Sequence, residues 1–132
     1  MNDSLVRDFT LDDLAALRGE IERFAAGHGL ADLALYRFVV AVNELTTNAV
    51  RHGGGAGLLE LRHVGTVLHC RVVDHGPGMP PLRHDPAPPA PRALNGRGLW
   101  LARQNAASLD IDSRPSGTSV TLTTEVATSG VR

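Results

Sequence analysis

The stretch VNELTTNAVRHGGG, residues 42–55, sets a carboxylate, Glu44, four residues before a side-chain amide, Asn48. On a helix turning about 100° per residue, that spacing leaves the two groups roughly 40° apart on one face. A carboxylate is a proton acceptor and an amide carbonyl is a neutral oxygen donor, so together they form a small polar work surface. A second carboxylate, Asp74, closes the run TVLHCRVVD just before HGPG. Strand alternation points Leu68, Cys70 and Val72 one way and His69 and Arg71 the other, which puts Asp74 on the apolar side. An acid in that position is costly unless something hydrogen-bonds it.

Each of these groups depends on the element that carries it. SLVRDFT predicts a short first strand, and Thr10 followed by Leu11, Asp12 and Asp13 reads as a helix cap with acidic residues in the first turn. Leu14, Leu17, Ile21, Phe24 and Ala25 recur at helical spacing until Gly27 and Gly29 end the pattern. A second helix runs from about Ala31 to His52, with Leu35, Phe38, Val42, Leu45 and Ala49 as its apolar stripe. Glu44 and Asn48 lie well off that stripe, so an outward-facing edge is expected. GLLELRHV and TVLHCRVVD then form two strands, and SLDIDS and TSVTLTTEV two more around an RPSG turn.

Between these pairs the composition changes. Seven of the eight prolines fall between Pro77 and Pro91, where neither a strand nor a helix continues easily. A loop of that length in a small domain is commonly a lid, a binding loop or an insert. Structure is expected to resume at GRGLWLARQNAA, a helix opened by two glycines, and the tail ATSGVR reads as frayed, about residues 127–132.

Composition sets the outer limits. A chain of 132 residues with 42% hydrophobic content fits one domain, 1–132, with a real core. Net charge is −1 with scattered arginines, which argues against direct nucleic-acid binding. All the basic residues are arginine, so the lysine-dependent phosphate loop and the ordinary protein-kinase nucleotide site are both excluded. One cysteine, Cys70, permits no internal disulfide. No apolar run spans a bilayer and no signal core opens the chain, so a cytoplasmic protein without membrane contact is expected. The six histidines fall in no recognised metal-ligand spacing.

Taken in order, NELTTNAVRHG, DHGPGM, the proline-rich loop, GRGLWLAR and GTSVTL resemble the GHKL ATP-binding superfamily across roughly residues 30–125. Any one of these patterns is weak alone; their order and spacing carry the resemblance. Within the superfamily the wording is most similar to bacterial anti-sigma regulatory factors that are serine/threonine kinases. The resemblance implies an α+β fold: a two-layer α/β sandwich whose mixed, mostly antiparallel sheet is covered on one face by helices. It also implies an ATP lid at about residues 75–97.

Residue by residue, it implies Asn48 as an oxygen ligand to Mg²⁺ and Glu44 as general base. Asp74 would accept from the adenine amino group, the alternative being an ordinary turn-forming Asp. Gly76 and Gly78 would let backbone approach the nucleotide, or simply serve a tight turn. Gly96 and Gly98 would offer backbone N–H groups to the phosphates at a helix start, with Arg97 as a further phosphate contact or an exposed arginine. Thr118 would touch the adenine end, or merely begin a strand. His52, beside the first motif, is expected to pack or to orient its neighbours.

The expected function is therefore ATP- and Mg²⁺-dependent phosphorylation of a serine or threonine on an anti-sigma antagonist, by a protein that also binds a sigma factor and forms a homodimer. The runner-up is an ATP-sensing binding module with the same pocket and no kinase activity. A histidine kinase is the weaker third reading, since no long hairpin with a phosphoacceptor histidine is present in the sequence.

Overall fold

The computed structural model describes residues 3–76, 102 and 104–126. Strand β1 spans Asp3–Thr10. At its end the Asp13 carboxylate accepts from the Thr10 N–H at 2.9 Å and from the Thr10 hydroxyl at 3.2 Å, folding the chain into a 3₁₀ turn over Leu11–Asp13. Helix α1, Leu14–Gly27, follows directly. It buries Leu17, Ile21 and Ala25 at the spacing the sequence predicts, with Leu14 and Phe24 partly covered beside them. Helix α2 spans Asp32–His52, then come β2 (Ala56–Val64), β3 (Val67–Asp74), β4 (Ser108–Arg114) and β5 (Gly117–Glu125).

The strands form one sheet in the order β1-β2-β3-β5-β4. Every described pairing is antiparallel, so the mostly antiparallel sheet is wholly so among the described residues. α2 packs on β2, β3 and β5, and α1 packs on α2 and β1. The core lies between these layers. Leu59 and Leu61 of β2, Leu68, Cys70 and Val72 of β3, and Val120 and Leu122 of β5 close onto Phe38, Val42, Leu45 and Ala49 of α2. Removing each such large side chain from water contributes about 1.5–3 kcal/mol, so the same core holds α2, β3 and β5, the elements that carry the site. Cys70 belongs wholly to this core, and burial pushes its thiol far above the usual cysteine range.

The proline-rich loop, Gly78, Gly96, Arg97, Gly98 and the tail at 127–132 lie outside the described residues, and with them the lid and the phosphate-side glycines. Ala102 and Gln104 are helical, within the stretch read as the helix after the loop.

Candidate functional site

The site grows from the last turns of α2. Its buried residues, from Phe38 to Ala49, occupy an arc of roughly 180° around the helix. That arc is wider than a narrow apolar stripe because α2 is covered by α1 as well as by the sheet. Asn48 falls on the rim of the arc and is only 6% exposed, while Glu44, about 40° further round, is half-buried. The expectation of an outward-facing pair is thus corrected in part: Asn48 is buried at the rim of the arc, and Glu44 is half-buried beyond it.

Burial alters both groups. Desolvation raises the Glu44 pKa above its ordinary 4.5, and the positive charge of Arg51 pulls it partly back. Among the described residues, neither Asn48 Nδ2 nor Nε2 of His52, one turn further along the same ridge, has a hydrogen-bond partner, though both are buried. Leaving a polar atom so buried costs about 1–3 kcal/mol, so two on one ridge mark a surface suited to a polar group that the described residues do not supply. The two ends of an amide exchange by a half-turn, so the same position can present the Asn48 carbonyl oxygen. Among the described residues, Nε2 of His52 meets no partner through which to orient a neighbour.

Beyond His52 the chain meets Asp74. The strand parity expected of Asp74 holds: it is 7% exposed and lies on the core side, opposite Thr118 in the β3–β5 register. Its desolvation is offset by two backbone donors on Oδ1, the N–H of Gly76 at 3.0 Å and the N–H of Thr118 at 3.3 Å. The first is a tight turn of the carboxylate on its own backbone, as the turn-forming alternative has it; the second ties it to β5. Thr118 contributes its backbone here, while its hydroxyl lies 3.0 Å from that of Ser113.

Gly76 is packed against the backbone at the end of α2: a Cβ on it would come within 2.5 Å of Gly53 Cα. Gly117, at φ +146, turns its missing side chain toward the Asp74 carbonyl oxygen. Gly53 and Gly117 had no predicted role. The signal for Gly53 was present as a run of three glycines where one suffices to end a helix; Gly117 showed as the end of the RPSG turn and the first residue of GTSVTL. The structure thus gathers Asp74, Gly76 and Thr118 with these two glycines, and places Asn48 and Glu44 on the ridge leading away. From Gly53 back to Glu44 the helix rises about 14 Å. Among the described residues, no group of three or more His, Cys, Asp or Glu side chains is arranged to hold a metal.

A helical layer on one face of an antiparallel sheet, with a buried acid at one end of a polar helix ridge, defines the class: an α+β sandwich with its site at the sheet's end. A family model described as a histidine kinase-like ATPase domain matches residues 8–124, and the chain belongs to that family. No curated protein matches the chain in sequence. Among solved structures it is similar to the RsbU and RsbW domains of Rv1364c from Mycobacterium tuberculosis, at 19% identity and TM-score 0.68 over 95% of this chain. It spans about a third of that protein's structure, 32%. It is also similar to the Acinetobacter baumannii histidine kinase AdeS, at 12% identity and TM-score 0.56, covering 92% of this chain and 68% of that one. The histidine kinase domain of the Erythrobacter litoralis EL346 blue-light activated kinase aligns at 23% identity and TM-score 0.56, over 86% and 59% of the two chains. These likenesses establish the fold. No helix among the described residues is long and apolar enough to cross a membrane.

Proposed function

We propose that this protein binds Mg-ATP along the α2 ridge and transfers its terminal phosphoryl group to a serine or threonine of a protein partner. The single observation that carries the reading is the joint placement of Asp74 and Asn48. Among the described residues, a buried carboxylate is anchored through Oδ1 alone, and a buried amide nitrogen with no partner lies on the ridge that ends beside it. Asp74 accepts from the exocyclic amino group of adenine; guanine, with an oxygen there, sets two acceptors face to face.

The donor set suits Mg²⁺, a hard cation that takes oxygen ligands and keeps several of them from phosphate and water. Asn48 is the one described residue assigned to it, and Mg²⁺ bound there supplies charge neutralisation for the phosphates. Glu44 takes the proton of the attacking hydroxyl as its oxygen bonds to the γ-phosphorus and the bond to the β-bridging oxygen breaks, releasing ADP. Its raised pKa makes it a stronger base than a solvated glutamate. Gly78, Gly96, Arg97 and Gly98 are assigned to the nucleotide by motif resemblance.

The same resemblance, together with fold similarity to a structure containing an RsbW domain, supports an anti-sigma regulator. Such a protein acts in the cytoplasm, as a homodimer, on a sigma factor and its antagonist. The test is Glu44→Gln with a candidate antagonist and radiolabelled ATP: transfer is lost while ATP affinity changes less than about threefold. Retained transfer removes Glu44 from its role. ATP binding by the unsubstituted chain with no transfer to any partner marks an ATP-sensing module instead.

A further inference from the structure

The run Gly53-Gly54-Gly55 ends α2, and a glycine at a helix end is usually explained by a left-handed backbone. That explanation serves Gly54 at φ +88 and Gly55 at φ +90. It does not serve Gly53, whose φ is −107, a conformation open to any residue. What Gly53 requires is space. A Cβ there would overlap the Asp74 side chain, meeting its Cγ and lying 2.5 Å from its Cβ, and would also come within 2.5 Å of the Ala49 carbonyl oxygen. Gly53 is itself buried, and its own N–H is bonded to that same Ala49 carbonyl at 2.8 Å, so neither backbone nor cap can swing away cheaply.

On the other sides Asp74 is equally confined. Its carboxylate is held by the Gly76 and Thr118 N–H groups, and Gly117 closes over its carbonyl. A new Cβ on Gly53 strikes Asp74 at Cγ and Cβ, so Asp74 can yield only by turning about χ1 and shifting the backbone that carries it, and either movement displaces the carboxylate from its two N–H donors. We propose that Gly53 is a specificity-determining positioning residue: by lacking a side chain it lets the end of α2 form one wall of the Asp74 slot and fixes the oxygen that reads the nucleobase. This rests on the assignment of Asp74 to adenine. It also gives the helix that carries Glu44 and Asn48 a direct mechanical link to the base-reading end.

The experiment titrates ATP and GTP separately into the unsubstituted chain, Gly53→Ala and Gly54→Ala, with melting followed for each. The unsubstituted chain prefers ATP. Gly53→Ala lowers the ATP:GTP affinity ratio about tenfold or more, the scale of one misplaced buried hydrogen bond. Gly54→Ala, strained but with no heavy atom of Asp74 near its Cβ, lowers the melting temperature and leaves the ratio unchanged. A folded Gly53→Ala that keeps the full ATP preference overturns the positioning role while leaving the proposed function standing. No ATP binding by the unsubstituted chain overturns both.

If Gly53→Ala does not fold, the comparison moves to the Asp74→Gly background, where the side chain it would strike is gone. The Ala49 carbonyl remains, so the expected result is a double variant that folds, with a smaller loss from Gly53→Ala than in the Asp74 background. A double variant as unfolded as Gly53→Ala assigns Gly53 to the Ala49 carbonyl alone and overturns the proposal.

Discussion

Asp74 and Glu44 are both carboxylates in one small domain, yet their surroundings set them to different work. Asp74 is fixed by two backbone N–H donors on a single oxygen. With the proposed adenine role, Asn in its place keeps an acceptor for those donors but turns an NH₂ toward the base. Asp74→Asn should then preserve the fold, lose ATP affinity and move the preference toward GTP, whose base presents an oxygen there. Glu44 is half-buried and has its pKa raised above 4.5, first by desolvation and against the pull of Arg51. The folded state thus holds this proton at pH values where the unfolded chain has released it. Stability falls as pH rises from 4.5 through the raised value. Urea denaturation across that window should show a shallower decline for Glu44→Gln, which cannot ionise. Phosphoryl transfer runs the other way, rising through the same window as the base form appears; a flat profile there would remove Glu44 as the base.

Helix α2 is where sequence and structure can be compared most closely. Its limits, its stripe and the parity of β3 were legible, because periodicity is a local property that one chain segment carries by itself. Leu45, central in that stripe and 2% exposed, illustrates it: Leu45→Ala should cost about 2–5 kcal/mol in chemical denaturation, whereas an exposed position such as Leu33 should cost far less. The burial of Asn48 was not legible, because it depends on how much of α2 the rest of the fold covers, and α2 meets both α1 and the sheet. Nor was the part played by Gly53, since the atoms that forbid its Cβ belong chiefly to Asp74, 21 positions away in the chain. Arg51 was invisible as a partner of Glu44 for a related reason: two turns of helix separate them, and only the folded electrostatics couple them.

At the scale of the whole molecule, the site is built across the end of the sheet, where α2, the end of β3 and the start of β5 meet. Ligand bound there bridges the helical layer and the sheet, so it should stabilise the fold as a unit. At a hundredfold excess over its dissociation constant, ATP would add about 2.7 kcal/mol to unfolding, and the melting temperature should rise with ATP concentration but not with GTP. Calorimetric titration of ATP and GTP, each with and without Mg²⁺, into the unsubstituted chain and Asp74→Asn decides whether Asp74 and the α2 ridge form the adenine-selective Mg-nucleotide site proposed. ATP binding should depend on Mg²⁺, GTP should bind far more weakly, and Asp74→Asn should lose ATP; equal binding of the two nucleotides, or ATP binding untouched by Asp74→Asn, rules such a site out.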